Sequence, residues 1–259
     1  SFIGHLAKMR MELAKNDNME KVFEHANEAY KLDINSEQVL KTMFYVSIKL
    51  KKIDKAIEIS KNSNFKKIYN SNNFNYLISD LYYLDGLQKL SKNKREAEKS
   101  FLRSVENFSG NILAVLNLVK LIRGMSARNK SIKILKEAFF ISPHVDLLDM
   151  LIKKTNYKTS GEKVSYAIQL LKSNTVEEKN VNEVKILVAE YSLKQKIYGE
   201  AKKLLEDIAE INMTNKGFQL LADLESSKNN TDKVSLYLKK AAKAKLNYDY
   251  FCLSCGFKN

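Results

Sequence analysis

Residues 182–209, NEVKILVAEYSLKQKIYGEAKKLLEDIA, set the pattern that the rest of the chain repeats. Val184, Leu187, Val188 and Tyr191 recur at helical spacing and form one apolar stripe. A polar joint, Lys194-Gln195-Lys196, separates it from a second stripe of Tyr198, Ala201, Leu204, Leu205 and Ile208. Two amphipathic helices on so short a joint lie antiparallel, and Ala201 is small enough to let their axes approach. One hairpin cannot cover both of its faces, so it needs a neighbour on each side. A small or β-branched residue marks the same place in every second helix: Val22, Ala56, Ala97, Ser131, Val164, Ala201 and Val234. The intervals between them are 34, 41, 34, 33, 37 and 33 residues.

A period in this range is the signature of a helical-hairpin solenoid, and 34 is the tetratricopeptide (TPR) length. Leu84-Asp85-Gly86, the Ala-x3-Phe string from Ala97 to Phe101, and Pro143 five residues after Ala138 resemble TPR positions in the same register. The fold predicted is therefore all-α: a right-handed TPR-like solenoid of about seven hairpins over 1–245, then a short non-helical tail over 246–259. The hairpins read as 3–15 with 19–32, a helix opening at 38 with a partner starting at 53, 74–90 with 94–107, 113–124 with 129–141, 146–154 with 161–172, the two stripes of 182–209, and 216–227 with 232–244. Asn16-Asp17-Asn18 and Ser36 stand where they can cap helices. The longest interval contains two asparagine-rich clusters, and a bend in the array is expected at 62–75, with a helical turn between the clusters.

Composition fits this class. One proline and eight glycines leave little material for β-turns, and 44% hydrophobic residues suffice for a core. No apolar run approaches the length of a membrane span. The chain begins Ser-Phe-Ile without Met, so it is expected to be an excised piece, with any membrane anchor in a segment outside this sequence. The formal charge is +14, which invites an RNA or other polyanion as ligand. Lysine supplies 39 of the 44 basic residues and arginine only five, whereas phosphate and base readers lean on arginine forks. Nucleic acid is thus the alternative reading.

No catalytic constellation, Walker motif or dinucleotide glycine motif is present, and the chain is not expected to be an enzyme. His5, His25 and His144 stand apart and read as packing or surface residues. The pointed motif is Cys252-Leu253-Ser254-Cys255-Gly256. Two thiolates at this spacing, with a following glycine, form a knuckle that can supply half of a tetrahedral zinc site. Cys252 and Cys255 are the candidate metal ligands, and zinc requires a second pair beyond Asn259 or from a partner chain; otherwise they are free thiols. Gly256 stands where c-type haem attachment requires histidine.

Several strings together bring a family into view: Leu13-Ala14-Lys15-Asn16-Asp17, Ile141-Ser142-Pro143-His144-Val145-Asp146-Leu147, Gln219-Leu220-Leu221-Ala222-Asp223-Leu224-Glu225, and Tyr237-Leu238-Lys239-Lys240-Ala241. Their order resembles the TPR portion of HemY-type alphaproteobacterial proteins, with Val145 where that pattern has proline. Tyr250-Phe251-Cys252-Leu253-Ser254-Cys255-Gly256 resembles the first zinc knuckle of LapB-type TPR proteins, without the second Cys-x-x-Cys. Both resemblances imply a scaffold anchored to the inner membrane and facing the cytoplasm. HemY-type proteins are associated with haem biosynthesis and envelope physiology, and LapB-type proteins act on lipopolysaccharide synthesis through protein partners.

The expected function is accordingly a non-enzymatic scaffold that binds protein partners on its concave face. The repeat register puts Lys41, Tyr45, Lys49, Tyr82, Lys89, Lys120 and Arg123 on that face toward the N-terminus. Glu183, Glu190 and Asp223 come next toward the C-terminus, with Lys194 and Lys216 among them. The groove is expected to be basic and aromatic at one end and more acidic at the other, with Lys99 and Arg103 on the opposite, convex side.

Overall fold

The computed structural model describes residues 1–15, 18–172 and 180–245. These form fifteen α-helices and one 3₁₀ turn, with no strand among the described residues. The chain divides into two compact units, Ser1–Phe108 and Ser109–Asn259.

The first unit contains α1 (Phe2–Lys15), α2 (Met19–Leu32), α3 (Glu37–Lys49), α4 (Ile53–Ser60), α5 (Ser63–Lys67), α6 (Ser71–Leu90) and α7 (Lys94–Asn107). α1 packs on α2, α3 on α4 and α6 on α7 as hairpins; α2 lies against α3 and α4 against α6. One core runs through α1 to α6, from Met9 and Val22 through Leu40, Met43, Phe44 and Ile59 to Leu81. The long 41-residue interval is filled by α5. Asn62 caps that single turn, accepting from the Asn64 and Phe65 amides, and its own amide donates to the Ile34 carbonyl at 3.0 Å. Phe65 is completely buried, its ring centroid 4.8 Å from that of Phe44. The first unit therefore extends through 62–75 without a break.

The second unit contains α8 (Ile112–Leu121), α9 (Ala127–Ile141), α10 (Val145–Lys153), α11 (Ser160–Lys172), α12 (Val181–Lys194), α13 (Tyr198–Glu206), the 3₁₀ turn (Glu210–Asn212), α14 (Asn215–Ser226) and α15 (Thr231–Lys243). α9 packs on α10, α11 on α12, and α14 on both α12 and α13. Ile186, Ala201, Leu205, Phe218 and Leu224 form its best-filled core.

Asparagine starts many of these helices. Asn18, Asn62, Asn70, Asn93, Asn111 and Asn230 each stand at an N-cap and accept a hydrogen bond from a first-turn amide. The sequence's abundance of asparagine thus has a local structural use. Ser36 occupies the N-cap of α3 but makes no side-chain capping bond. Three of the turns between paired helices share one geometry. Lys51, Lys196 and Asn229 have φ of 57°, 61° and 56°, and each stands five residues before a register residue, Ala56, Ala201 or Val234. The next amide in each case bonds back across the turn, Lys52 to Ser47, Ile197 to Ser192 and Asn230 to Glu225, at 2.8–3.1 Å.

Most of the register positions lie inside the fold, and Val234 is half-buried. Val22, Ala56, Ala97, Ser131, Val164 and Ala201 are all buried, none more than 2% exposed. The Leu-x-Gly and Ala-x3-Phe markers turn out to be two sides of one contact. A Cβ added at Gly86 would sit 2.5 Å from the Phe101 ring, which is itself fully buried. Beside it, buried Asp85 accepts from Ser100 Oγ at 2.5 Å and from Lys89 Nζ at 2.7 Å, and Ser104 Oγ donates to the Ser79 carbonyl at 2.7 Å. The α6–α7 seam is built from small residues whose polar atoms are satisfied across it.

Gly86→Ala is expected to destabilise the chain. Alanine gains about 1 kcal/mol of helix propensity, but overpacking against a ring with no free side costs about 1–3 kcal/mol. Gly217→Ala meets the flexible Met213 thioether instead and should cost less. Denaturant unfolding of the two variants checks the order; equal losses would show that Phe101 yields as easily as Met213. A second expectation concerns the turn. Lys196→Gly relieves a left-handed non-glycine residue and should raise stability by up to about 1 kcal/mol, net of the unfolded-state entropy of glycine.

Candidate functional site

The residues expected on one face separate into open and tied groups. On α3, Lys41, Tyr45 and Lys49 stand one turn apart and are all exposed. Tyr45 is 46% exposed, and Lys49 Nζ lies 5.4 Å from its ring centroid, within cation–π range. Lys41 bonds Glu37 at 2.6 Å on the same helix, and this contact holds its ammonium pKa above the ordinary lysine value. Arg10 of α1 reaches Gln38 beside this stripe. The result is a solvent-facing row of two ammonium groups around a phenol.

Tyr82 and Lys89 do not join that row as free groups. Arg103 of α7 sits 5.6 Å from the Tyr82 ring, and Lys89 neutralises the buried Asp85 carboxylate. Arg103, expected on the opposite side, is thus in contact with a residue assigned to the groove. Both contacts belong to the α6–α7 hairpin itself.

In the second unit Lys120 is exposed in the last turn of α8. Arg123 lies beyond the end of that helix, in the stretch leading to α9, so it does not project from a helical face as its register implied. The reason is local: Ile122 leaves the helical region at ψ 126° and Gly124 takes φ 103°, ending the helix at Leu121, three residues short of the expected end at 124. Of the expected acidic end, Glu190 is neutralised. Glu190 is flanked by Lys216 at 3.1 Å and Lys194 at 3.4 Å, which ties α12 to α14. Glu183 is half-buried, and desolvation pushes its carboxyl pKa above the usual value. Asp223 remains exposed on α14.

The histidines have structural contacts. His5 of α1 and His25 of α2 bring their rings to 6.0 Å, with His5 Nδ1 buried and unpaired. His144 caps α10, Nδ1 accepting from the Asp146 amide at 3.1 Å. That role was not assigned from the sequence, although the place of His144 directly after Pro143 and before a helical stripe was a usable signal. Among the described residues no group of three or more His, Cys, Asp and Glu side chains could hold a metal ion. Cys252 and Cys255 lie outside the described residues, so the zinc knuckle is a matter of sequence alone.

The geometry defines a class: an all-α array of TPR-like helical hairpins with a small-residue register. No family model and no curated protein matches the chain. A solved structure titled "Functional Characterization of Pseudomonas Aeruginosa pilF" is similar at 14% identity, covering 90% of this chain and 88% of that chain, with a TM-score of 0.28. At that superposition neither fold nor function is carried over, and the class stands on the packing described above. The HemY- and LapB-type resemblance rests on its own residues.

Glu183 generates a pH prediction. A raised folded-state pKa means that folding favours the protonated carboxyl, so the ionised form weakens the fold near neutrality. Glu183→Gln is expected to raise Tm at pH 7. The gain should shrink as pH falls, because wild-type Glu183 becomes protonated in the folded and then in the unfolded chain, and should vanish well below the ordinary carboxyl value of 4.5. Thermal scans of both proteins across this range check the sign; a gain that persists at low pH would assign the effect to packing instead.

Proposed function

We propose that this chain is a non-enzymatic scaffold and that the face of α3 holds an acidic segment of a protein partner. The observation that carries the reading is the exposed Tyr45 ring with Lys49 above it and Lys41 one turn away. Aromatic surface that stays in water offers a partner a rigid contact at low entropic cost, and the flanking ammonium groups select acidic side chains. Lysine point charges suit scattered carboxylates, where arginine forks would suit phosphate. Lys120 and Asp223 are exposed in the second unit and are not part of this α3 site.

On the HemY- and LapB-type resemblance, the partner belongs to haem biosynthesis or envelope homeostasis, and the scaffold works on the cytoplasmic side of a membrane. No helix among the described residues is long and apolar enough to cross one. Zinc at Cys252 and Cys255 belongs to the same proposal and requires ligands from elsewhere.

The test uses a fluorescent helical peptide with glutamates at i, i+4 spacing, titrated at low and physiological salt. Lys41→Glu with Lys49→Glu is expected to weaken binding about tenfold, roughly 1.4 kcal/mol. Lys94→Glu with Arg95→Glu, exposed at the start of α7, changes the net charge equally and should weaken it much less. Equal losses from the two pairs would mean bulk charge rather than a site. A single-stranded RNA that binds more tightly, with a steep salt slope, would favour the polyanion alternative.

A further inference from the structure

Among the register residues Val234 of α15 is the exception, half-buried where the other six are buried. α2 packs on α3, α4 on α6, α9 on α10, α11 on α12 and α13 on α14, whereas α15 buries one residue, Ala241, of its thirteen. Val234, Leu238 and Ala242 succeed one another at i, i+4 spacing on a single face. Leu238 is 50% exposed, and Ala242 is exposed as well. This face borders an open hollow of about 630 Å³ that starts at the α14–α15 turn and ends at Ala242. Apart from Lys239 at its edge, the other α15 residues on the hollow are Thr231 and Ser235, small enough to admit a second helix.

Two opposite charges flank the face on one side. Asp232 stands in the first turn of α15 and Lys243 at its last residue. Three helical turns separate them, so they project in nearly the same direction but about 17 Å apart along the axis. At that distance they cannot pair with each other. Both are exposed, and neither joins an ion pair among the described residues.

We propose that α15 is a self-association surface, on which the same face of a second copy packs antiparallel about a two-fold axis at Leu238. Such an axis sets Leu238 against its own mate and Val234 beside the partner's Ala242. It also brings Asp232 within one residue of the partner's Lys243 on the same flank, and by symmetry Lys243 beside the partner's Asp232. An apolar stripe alone accepts any helix; an acid at its start and a base at its end select a second copy running the opposite way. A parallel pair would set like charges together instead. Lys239 falls near its own mate, and its long stem lets the ammonium group stay in water. The overlap is one short helix with the adjoining end of α14, well below a standard interface. The dimer is therefore expected to be weak, with a Kd on the order of 10–100 µM. This surface is independent of the α3 face and stands or falls apart from it.

The test is sedimentation equilibrium of the full chain at physiological salt, over concentrations spanning that range. The wild type is expected to pass from monomer to dimer, and Leu238→Glu to stay monomeric. Asp232→Lys and Lys243→Glu should each weaken association about tenfold, and the protein carrying both should regain most of it. Bulk charge would move the two single variants in opposite directions, since one adds positive charge and the other removes it. The rescue has no origin within one helix either, because each swap opposes the helix dipole and the two residues are too far apart to pair. A wild type that stays monomeric throughout would overturn the proposal. So would a double swap no tighter than the single ones, or a dimer that Leu238→Glu leaves intact.

Discussion

Close approach at the small-residue register holds this chain together. Where Ala97, Gly86 and Phe101 meet, the axes of α6 and α7 are near enough that an added methyl group has no room. Interiors packed to crystal-like density transmit such constraints, because no void is left to absorb a larger side chain. The same seam then has to dispose of its polar atoms. Asp85, Ser100, Ser79 and Ser104 do so by bonding one another across it, which leaves Lys89 as the half-exposed counter-charge. A buried carboxylate without these partners would cost more than the close packing contributes.

Stability in such an array accumulates from neighbour to neighbour, so the completeness of each seam decides where the chain is firm and where it is open. α5 shows the rule working within a long connection. A five-residue helix has too few hydrogen bonds to persist alone, yet Asn62 at its start and buried Phe65 within it bind it to the preceding hairpin. α15 shows the rule at the other extreme. Its register residue is present, but the surface that would cover it comes from no described helix.

The surface obeys a different rule. Among the described residues, most ion pairs join lysine and glutamate three or four residues apart on one helix face, where each exposed pair contributes little. The +14 net charge therefore describes the solvated exterior more than any ligand. What distinguishes α3 from that background is the uncovered phenol of Tyr45 among the charges.

The helical-hairpin architecture and its register were legible in the sequence, because burial repeats with the helical period and each small residue reports a local steric need. Val22, Ala56, Ala97, Ser131, Val164, Ala201 and Val234 were identified this way; the first six are buried and Val234 is half-buried. Helix starts were partly legible: the Asn16-Asp17-Asn18 turn reads as a cap and Asn18 does cap α2, whereas Asn70, Asn93 and Asn111 emerged as caps only where they bond first-turn amides. The state of the candidate site belonged to the tertiary structure alone. Register could put Tyr82, Lys89 and Glu190 on one nominal face, but not the Arg103 beside Tyr82, the buried Asp85 beneath Lys89, or Lys216 reaching Glu190 from twenty-six residues away. A helical period records which way a side chain faces. Whether its charge is free depends on partners brought near by packing, and spacing along the chain carries no record of those.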